Sequence, residues 1–125
     1  MSRIKITKQF KFEAAHFLPN YEGACNNLHG HSYLLEISLE GYPKENGSEM
    51  GMVMDFGRLK KIVNEEIIEK MDHHLLNDIP GLENPTAEKM VVWVWNILFE
   101  KLPDIVSVKL WETETSYVEY KGERI

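Results

Sequence analysis

The chain has 125 residues, 43% of them hydrophobic and 27% charged, a composition typical of one globular domain over residues 1–125. Lys and Arg number 14 against 20 Asp and Glu, so the formal charge is −6, which argues against nucleic acid or an anionic membrane as partner. A single cysteine excludes an intrachain disulfide, and we expect a cytoplasmic protein with no secretory leader and no membrane-spanning segment.

The first half of the chain is predicted to form two strands. Apolar residues alternate in parts over Arg3–His16, which indicates a strand with one apolar face. A loop rich in Gly and Asn follows at Leu18–Leu28, and a second alternating segment extends from about His29 to Gly41. Pro43–Gly51 is predicted to be a turn-rich connection.

The second half begins with helical periodicity. Asp55 is a plausible N-cap for a helix with apolar residues at helical spacing, namely Phe56, Leu59, Ile62, Val63, Ile67 and Met71. After a long connection over Asp72–Asn84, a second helix starts near Pro85 and Thr86 and ends before Pro103. Asn84 or Thr86 is its predicted cap.

Two short strands close the chain. Val106, Val108 and Leu110 alternate with polar residues as a third strand, and Tyr117–Tyr120 forms a fourth. The order β-β-α-α-β-β predicts an α+β fold, with an antiparallel sheet and two helices on one of its faces.

Three histidines are predicted to converge on one sheet face. His29 and His31 are two residues apart on a strand, so their side chains point the same way. His16 ends the first strand on its apolar face, and a hairpin-like pairing of the two strands would bring it beside them. Three neutral imidazoles suit zinc and leave a fourth position open, as catalytic zinc requires. Ordinary histidines at strand ends are the alternative.

Cys25, four residues before His29, has three possible roles. It is a fourth zinc ligand in a closed structural site, an inert buried thiol, or a nucleophile or base whose pKa a nearby metal or imidazolium lowers. The spacing does not separate ligand from catalyst.

The Asp72, His73 and His74 sequence follows the first helix. An Asp–His pair fixes the tautomer of an imidazole and makes it a general acid or base. The alternative is a helix end with histidines on the dipole, and the spacing does not decide which histidine faces a site.

Glu112 shares parity with the apolar residues of the third strand, where a carboxylate is costly unless it is paired. It could accept two parallel N–H bonds from the 2-amino-4-oxo edge of a pterin or guanine. An exposed strand end is the alternative.

Six motifs in this order resemble the 6-pyruvoyltetrahydropterin synthase family, and most closely its bacterial and archaeal 6-carboxy-5,6,7,8-tetrahydropterin synthase branch. They are F-x-F-E-A-A-H at Phe10–His16, C-N-N-L-H-G-H at Cys25–His31, D-F-G-R-L-K at Asp55–Lys60, M-D-H-H-L-L-N at Met71–Asn77, E-N-P-T-A-E at Glu83–Glu88 and W-E-T at Trp111–Thr113. The Cys-x₃-His-Gly-His spacing is the feature that favours the carboxytetrahydropterin branch.

The resemblance implies the tunnelling fold, in which β-β-α-α-β-β units form trimeric barrels that stack into homohexamers with sites between subunits. It also implies that His16, His29 and His31 are zinc ligands. Its catalytic thiol carries over to Cys25 and its Asp–His pair to Asp72 and His73, with His74 a bystander. Its pterin-anchoring carboxylate carries over to Glu112, with Thr86 and Glu88 as neighbours of the pterin.

The implied activity is a zinc-dependent lyase reaction on a small molecule. It converts 7,8-dihydroneopterin triphosphate to 6-carboxy-5,6,7,8-tetrahydropterin with release of triphosphate and acetaldehyde, an early step toward the 7-deazaguanine base of modified tRNA (queuosine biosynthesis). The alternatives are the pyruvoyl synthase reaction, a non-catalytic zinc- or pterin-binding module, and a His₃ zinc hydrolase. The bases that would hold the triphosphate are not identified, because candidates such as Lys11 and Arg58 are scattered.

Overall fold

Four strands form one antiparallel sheet in the order β1-β2-β3-β4. They are Ile4–His16 (β1), His29–Gly41 (β2), Ile105–Thr113 (β3) and Ser116–Tyr120 (β4). The structure is a computed structural model that describes residues 2–23 and 26–123. All four predicted strands are present, with bounds close to those expected from the alternation of apolar residues.

The long hairpin of β1 and β2 sets the position of the histidines. Its register pairs Ile4 with Gly41 at one end and His16 with His29 at the other. Because the two strands are paired over their full length, Ala14 lies opposite His31 and the three histidines are direct neighbours. The predicted pairing of the first two strands is confirmed.

Helical segments cover one face of the sheet. The first comprises Phe56–Val63 (α1), a π-helical stretch Asn64–Ile68 and Glu69–Met71 (α2). A 3-10 helix at Leu76–Asp78 interrupts the long connection, and Ala87–Lys101 forms α3. Asp55 caps α1 by accepting from Arg58 N at 3.0 Å, and Thr86 caps α3 by accepting from Lys89 N at 3.2 Å.

The core lies between these helices and the sheet. α3 packs against β3 and β4, and α1 lies against β1. The core side chains of the strands come from alternate positions, and those of the helices from one stripe, as the predicted patterns require. The architecture is the predicted α+β arrangement, a four-stranded antiparallel sheet with its helices on one face. We call the helix-covered side the inner face and the other side the outer face.

The prediction for β3 is wrong at Val106. Leu39 pairs with Ile105 while Ser38 pairs with Ser107, so one extra residue bulges out of β3. The bulge turns Ile105 into the core, where it is 4% exposed, and leaves Val106 half-buried. Beyond the bulge the alternation resumes, and Val108 and Leu110 are buried as predicted.

The first helix differs from the regular helix that was predicted. Leu59, Val63, Ile67 and Met71 are all fully buried, at a strict spacing of four residues. An α-helix drifts about 40° at each four-residue step, and the wider π-helical turn at Asn64–Ile68 absorbs this drift. Phe56, predicted on the same apolar stripe, is 49% exposed.

The outer face carries a polar network. Trp111 Nε1 donates to Glu36 at 2.6 Å, Ser107 Oγ donates to Glu119 at 2.7 Å, and the Lys109 ammonium lies 4.3 Å from the Tyr117 ring centroid. Within the described part of the chain, no helix is both long and apolar enough to cross a membrane.

Candidate functional site

The end of the β1–β2 hairpin brings His16, His29 and His31 together, as predicted. Their ring centroids are 4.6 to 5.0 Å apart, and one ring nitrogen from each lies within 4.8 Å of the other two. His16 is 2% exposed, and the other two are half-buried. A neutral imidazole is a common metal ligand, so this group could bind a metal ion. We call it the histidine cluster.

Backbone carbonyls fix the tautomers of two of these rings. His16 Nδ1 lies 2.9 Å from the carbonyl of Pro85, and His29 Nδ1 lies 2.7 Å from the carbonyl of Asn27. A carbonyl only accepts, so both Nδ1 atoms carry the proton and both neutral rings present an Nε2 lone pair. These two Nε2 atoms face each other at 3.1 Å. Two lone pairs at this distance repel unless a proton or a metal ion lies between them.

His31 gives the strongest indication that the histidine cluster binds a ligand. Its Nε2 is the one buried side-chain nitrogen or oxygen without a hydrogen-bond partner among residues 2–23 and 26–123. Such an orphaned atom costs stability unless something binds it. Burial lowers the pKa of His31, an effect that nearby Glu112 partly offsets, and the two other histidines lower it further. The ring is thereby kept neutral, the form that binds metal.

Tyr33 lies beneath the histidine cluster on the inner face. Its ring is 1% exposed and stacks on Phe12 with centroids 4.9 Å apart. Its hydroxyl lies 3.5 Å from His16 Nδ1. Burial, together with the charge of Glu112, raises the pKa of this phenol, so it stays neutral.

Glu112 lies at the end of β3, one residue beyond the last β2–β3 pair, Leu34 with Trp111. It is half-buried, and its charge acts on both His31 and Tyr33. The β3–β4 register is irregular between Trp111 and Thr113, so Glu112 lies at a break in the alternation that its predicted face assumed. A partly desolvated carboxylate near the histidine cluster is well suited to accept N–H groups from a planar ligand.

The Asp72–His73 pair forms at the free edge of β1. Asp72 Oδ2 lies 3.1 Å from His73 Nδ1, while Asp72 Oδ1 accepts from Glu13 N at 2.9 Å. The backbone bond from Glu13 lowers the pKa of Asp72, and the His73 ring lowers it further. His73 N also donates to Glu13 O at 2.6 Å. The predicted pair is therefore present as a contact, and the edge of β1 holds its carboxylate.

The backbone of His73 has an uncommon conformation. Its φ is +60°, and it is the one non-glycine residue with a positive φ among the residues that the structure describes. Its side chain is 79% exposed and offers its free ring nitrogen to solvent or to another molecule. Strained backbone of this kind recurs at functional sites, because the surrounding structure must hold it in place. His74 bonds its Nδ1 to the carbonyl of Asp72 at 2.8 Å.

A concavity lies beside the Asp72–His73 pair. His73 and His74 border a shallow concavity of about 480 Å³ whose strand residues include Glu13, Ala15, Gly30 and Ser32. These four alternate with the inner-face residues and therefore lie on the outer face. Ser32 Oγ donates to Glu13 there at 2.6 Å. Two residues of inner-face parity, Ala14 and His31, also line this concavity.

The remaining predicted site residues have different surroundings. Thr86 is half-buried and caps α3 directly after Pro85, so this helix begins at the histidine cluster. Glu88 is exposed in the first turn of α3. Cys25 lies outside the described residues.

The two scattered bases lie apart from each other. Lys11 borders an outer-face cavity of about 380 Å³ together with Trp111. Arg58 is paired with Glu49 at 2.8 Å, on the connection that precedes α1. The two bases do not form one anion site.

Three supports of the site were not predicted from the sequence. These are the carbonyls of Asn27 and Pro85, which orient two histidines, and the Tyr33 hydroxyl. Every residue has a backbone carbonyl, so the sequence contains no signal for the first two. The sequence does contain a signal for Tyr33, because this residue continues the alternation of His29 and His31 into the core.

The chain is similar to known proteins of one enzyme family. The sequence profile described as 6-pyruvoyl tetrahydropterin synthase matches residues 5–123. A 6-carboxy-5,6,7,8-tetrahydropterin synthase of Synechocystis is 43% identical, over 96% of this chain and 95% of that protein. A 6-pyruvoyl tetrahydrobiopterin synthase of Dictyostelium discoideum is 42% identical, over 81% of this chain and 76% of that protein.

A solved structure agrees with both the fold and the profile. The 6-pyruvoyl tetrahydropterin synthase of Caenorhabditis elegans superimposes with a TM-score of 0.88 at 26% identity, covering 98% of each chain. The profile extends over nearly the whole chain, and its match includes the histidine cluster, the Asp72–His73 pair and Glu112. The chain therefore belongs to the 6-pyruvoyl tetrahydropterin synthase family.

Proposed function

We propose that this protein is a zinc-dependent lyase. It converts 7,8-dihydroneopterin triphosphate, with water, to 6-carboxy-5,6,7,8-tetrahydropterin, triphosphate and acetaldehyde. Relatives that bear the name of this synthase support the reaction, among them the Synechocystis protein at 43% identity. The single observation that carries the proposal is the histidine cluster, where a buried and unpartnered His31 Nε2 meets two Nε2 lone pairs.

Zinc is the ion that the cluster fits best. Three imidazoles with one open position are the ligand set of catalytic zinc, and zinc–nitrogen bonds of about 2.0–2.1 Å at tetrahedral angles place ligand nitrogens about 3.3 Å apart. The His16–His29 separation of 3.1 Å is close to this value. All three ligand nitrogens lie within 4.8 Å of one another, so His16, His29 and His31 would hold the ion. When bound, zinc supplies a Lewis acid that lowers the pKa of the substrate's side-chain hydroxyls.

Glu112 is proposed to hold the pterin ring. Its carboxylate can accept two parallel N–H bonds from the 2-amino-4-oxo edge, which fixes the ring relative to the histidine cluster. Thr86 and Glu88 are proposed as neighbours of the pterin, because α3 begins beside the cluster.

Proton transfer is proposed to use two groups. The Cys25 thiolate would take a carbon-bound proton from the substrate side chain, a role that rests on the family motif at Cys25–His31. Asp72 accepts from His73 Nδ1 and so leaves the other ring nitrogen of His73 to take and return a proton on the opposite side.

Each site is proposed to lie between two chains of a homohexamer built as a dimer of trimers. His73 is 79% exposed beside an outer-face concavity, whereas the three histidines of the cluster share the strand parity of the inner face. The histidine cluster and the Asp72–His73 pair of one chain would then contribute to two different sites, each shared with a different neighbouring chain. We place this single-domain enzyme in the cytoplasm, which keeps a free thiol reduced, and in queuosine-type biosynthesis.

The proposal is tested by substrate turnover and metal content together. We expect the purified protein to hold about one zinc per chain and to consume 7,8-dihydroneopterin triphosphate. His29→Ala should lose both zinc and turnover, whereas His74→Ala should keep both, because His74 lies outside the histidine cluster. Full zinc occupancy and normal turnover in His29→Ala would remove the cluster from the reaction.

The pyruvoyl synthase reaction is the second candidate. The Dictyostelium relative, at 42% identity, bears the name of a 6-pyruvoyl tetrahydrobiopterin synthase. That reaction eliminates triphosphate and keeps the two-carbon fragment on the pterin, so the mass of the pterin product separates the two candidates.

A further inference from the structure

The side-chain amide of Asn77 connects two backbone segments next to the histidine cluster. Phe17 N donates to Asn77 Oδ1 at 3.1 Å, and Asn77 Nδ2 donates to Phe17 O at 2.9 Å. The same Nδ2 lies 3.3 Å from the carbonyl of Glu83. Because a backbone N–H only donates and a carbonyl only accepts, these partners determine the orientation of the amide.

Asn77 continues a pairing that the backbone begins. Along the free edge of β1, His73 N donates to Glu13 O and Ala15 N donates to His74 O. The chain then turns into the 3-10 helix Leu76–Asp78 and its backbone leaves this edge. The Asn77 amide supplies the next donor and acceptor, so Phe17 is held as if the pairing had continued by one more step.

These contacts close a ring of bonds around His16. Phe17 follows His16 directly, and Glu83 lies two residues before Pro85, whose carbonyl accepts from His16 Nδ1 at 2.9 Å. Asn77 thus holds both the strand end that carries His16 and the segment that orients its ring. Groups that orient a metal-binding histidine affect metal affinity strongly, although they do not touch the metal.

We propose that Asn77 is a positioning residue for the metal site, which sets the direction of the His16 Nε2 lone pair. The inference rests on the proposed metal site. Asn77→Ala removes all three bonds and should weaken zinc binding about 10- to 100-fold in a competition titration against a chelator. Asn96→Ala, at an exposed position of α3, should leave zinc affinity unchanged and is the matched control.

A purely structural role is separated by thermal unfolding with and without zinc. If Asn77 only stabilises the fold, Asn77→Ala lowers the melting temperature equally in both forms and keeps the zinc affinity of the wild type. If Asn77 positions His16, the increase in melting temperature that zinc produces is smaller in the variant than in the wild type, because ligand-linked stabilisation follows affinity.

A second variant keeps the test decisive. Asn77→Gln keeps the amide but moves it by one methylene away from its partners on Phe17 and Glu83, and it replaces Asn77→Ala if that variant does not fold. Unchanged zinc affinity in the folded variant overturns this inference alone. A wild-type protein that binds no zinc overturns both this inference and the proposed metal site.

Discussion

Cys25→Ala and His73→Ala should each be nearly inactive alone and restore activity when mixed, if every site is shared by two chains. In sequence, Cys25 lies between His16 and His29 of the histidine cluster, whereas His73 lies at the free edge of β1 beside the outer face. In an equimolar random mixture, half of the chains carry an intact Cys25 and half of the neighbours carry an intact His73. About a quarter of the sites are then complete, whatever the number of chains in the ring.

The assay is triphosphate release after the two variants are denatured and refolded together. We expect about a quarter of wild-type activity. The control is the same two variants refolded separately and then combined, which should stay inactive while subunits do not exchange. Different affinity tags on the two variants show whether mixed oligomers have formed. Mixed oligomers that stay inactive would refute the shared site, because a site within one chain always carries one of the two defects.

Three further predictions concern single residues. Cys25→Ala should keep its zinc and melting temperature while losing turnover; release of zinc on this change would instead make Cys25 a structural ligand. Glu112→Gln should weaken pterin binding by about 1–3 kcal/mol, because its NH₂ faces a pterin donor, whereas Glu114→Gln at an exposed position should not; equal affinities in a binding titration would remove Glu112 from the pterin site. Arg58 and other donors lower the pKa of Glu49 from 4.5 to about 2, so its stabilisation is complete above pH 4.5 and is lost as the pH falls toward 2. Melting curves should therefore show Glu49→Gln less stable than wild type at pH 7, with a difference that shrinks below pH 4.5; a constant difference would contradict the assigned pKa.

The histidine cluster could be predicted because it depends on only two patterns. Two-residue spacing puts His29 and His31 on one face, and the pairing of β1 with β2 brings His16 opposite His29. Both patterns are local or follow from neighbouring strands. The Asp72–His73 contact was also predictable, since adjacent residues form it.

The supports of the site could not be predicted in this way. The carbonyls of Pro85 and Asn27 act through backbone atoms that every residue has, and the Asn77 amide acts 60 residues away from Phe17. Such contacts depend on tertiary packing rather than on residue pattern.

Two features of the fold depart from the regular strand and helix that the sequence predicts. The bulge at Val106 has no simple signal, because both Ile105 and Val106 are β-branched and apolar. The π-helical turn did have a signal. Four buried residues from Leu59 to Met71 at a strict four-residue spacing do not fit a straight α-helix, which needs an occasional step of three.

The stoichiometry of the products shows whether the protein catalyses the proposed lyase reaction. Wild-type protein is incubated with 7,8-dihydroneopterin triphosphate, and acetaldehyde, triphosphate and the pterin product are measured in the same sample. We expect acetaldehyde and triphosphate in equal amounts, together with 6-carboxy-5,6,7,8-tetrahydropterin identified by its mass. Release of triphosphate without acetaldehyde would contradict the proposed lyase reaction and assign the protein to the pyruvoyl synthase reaction.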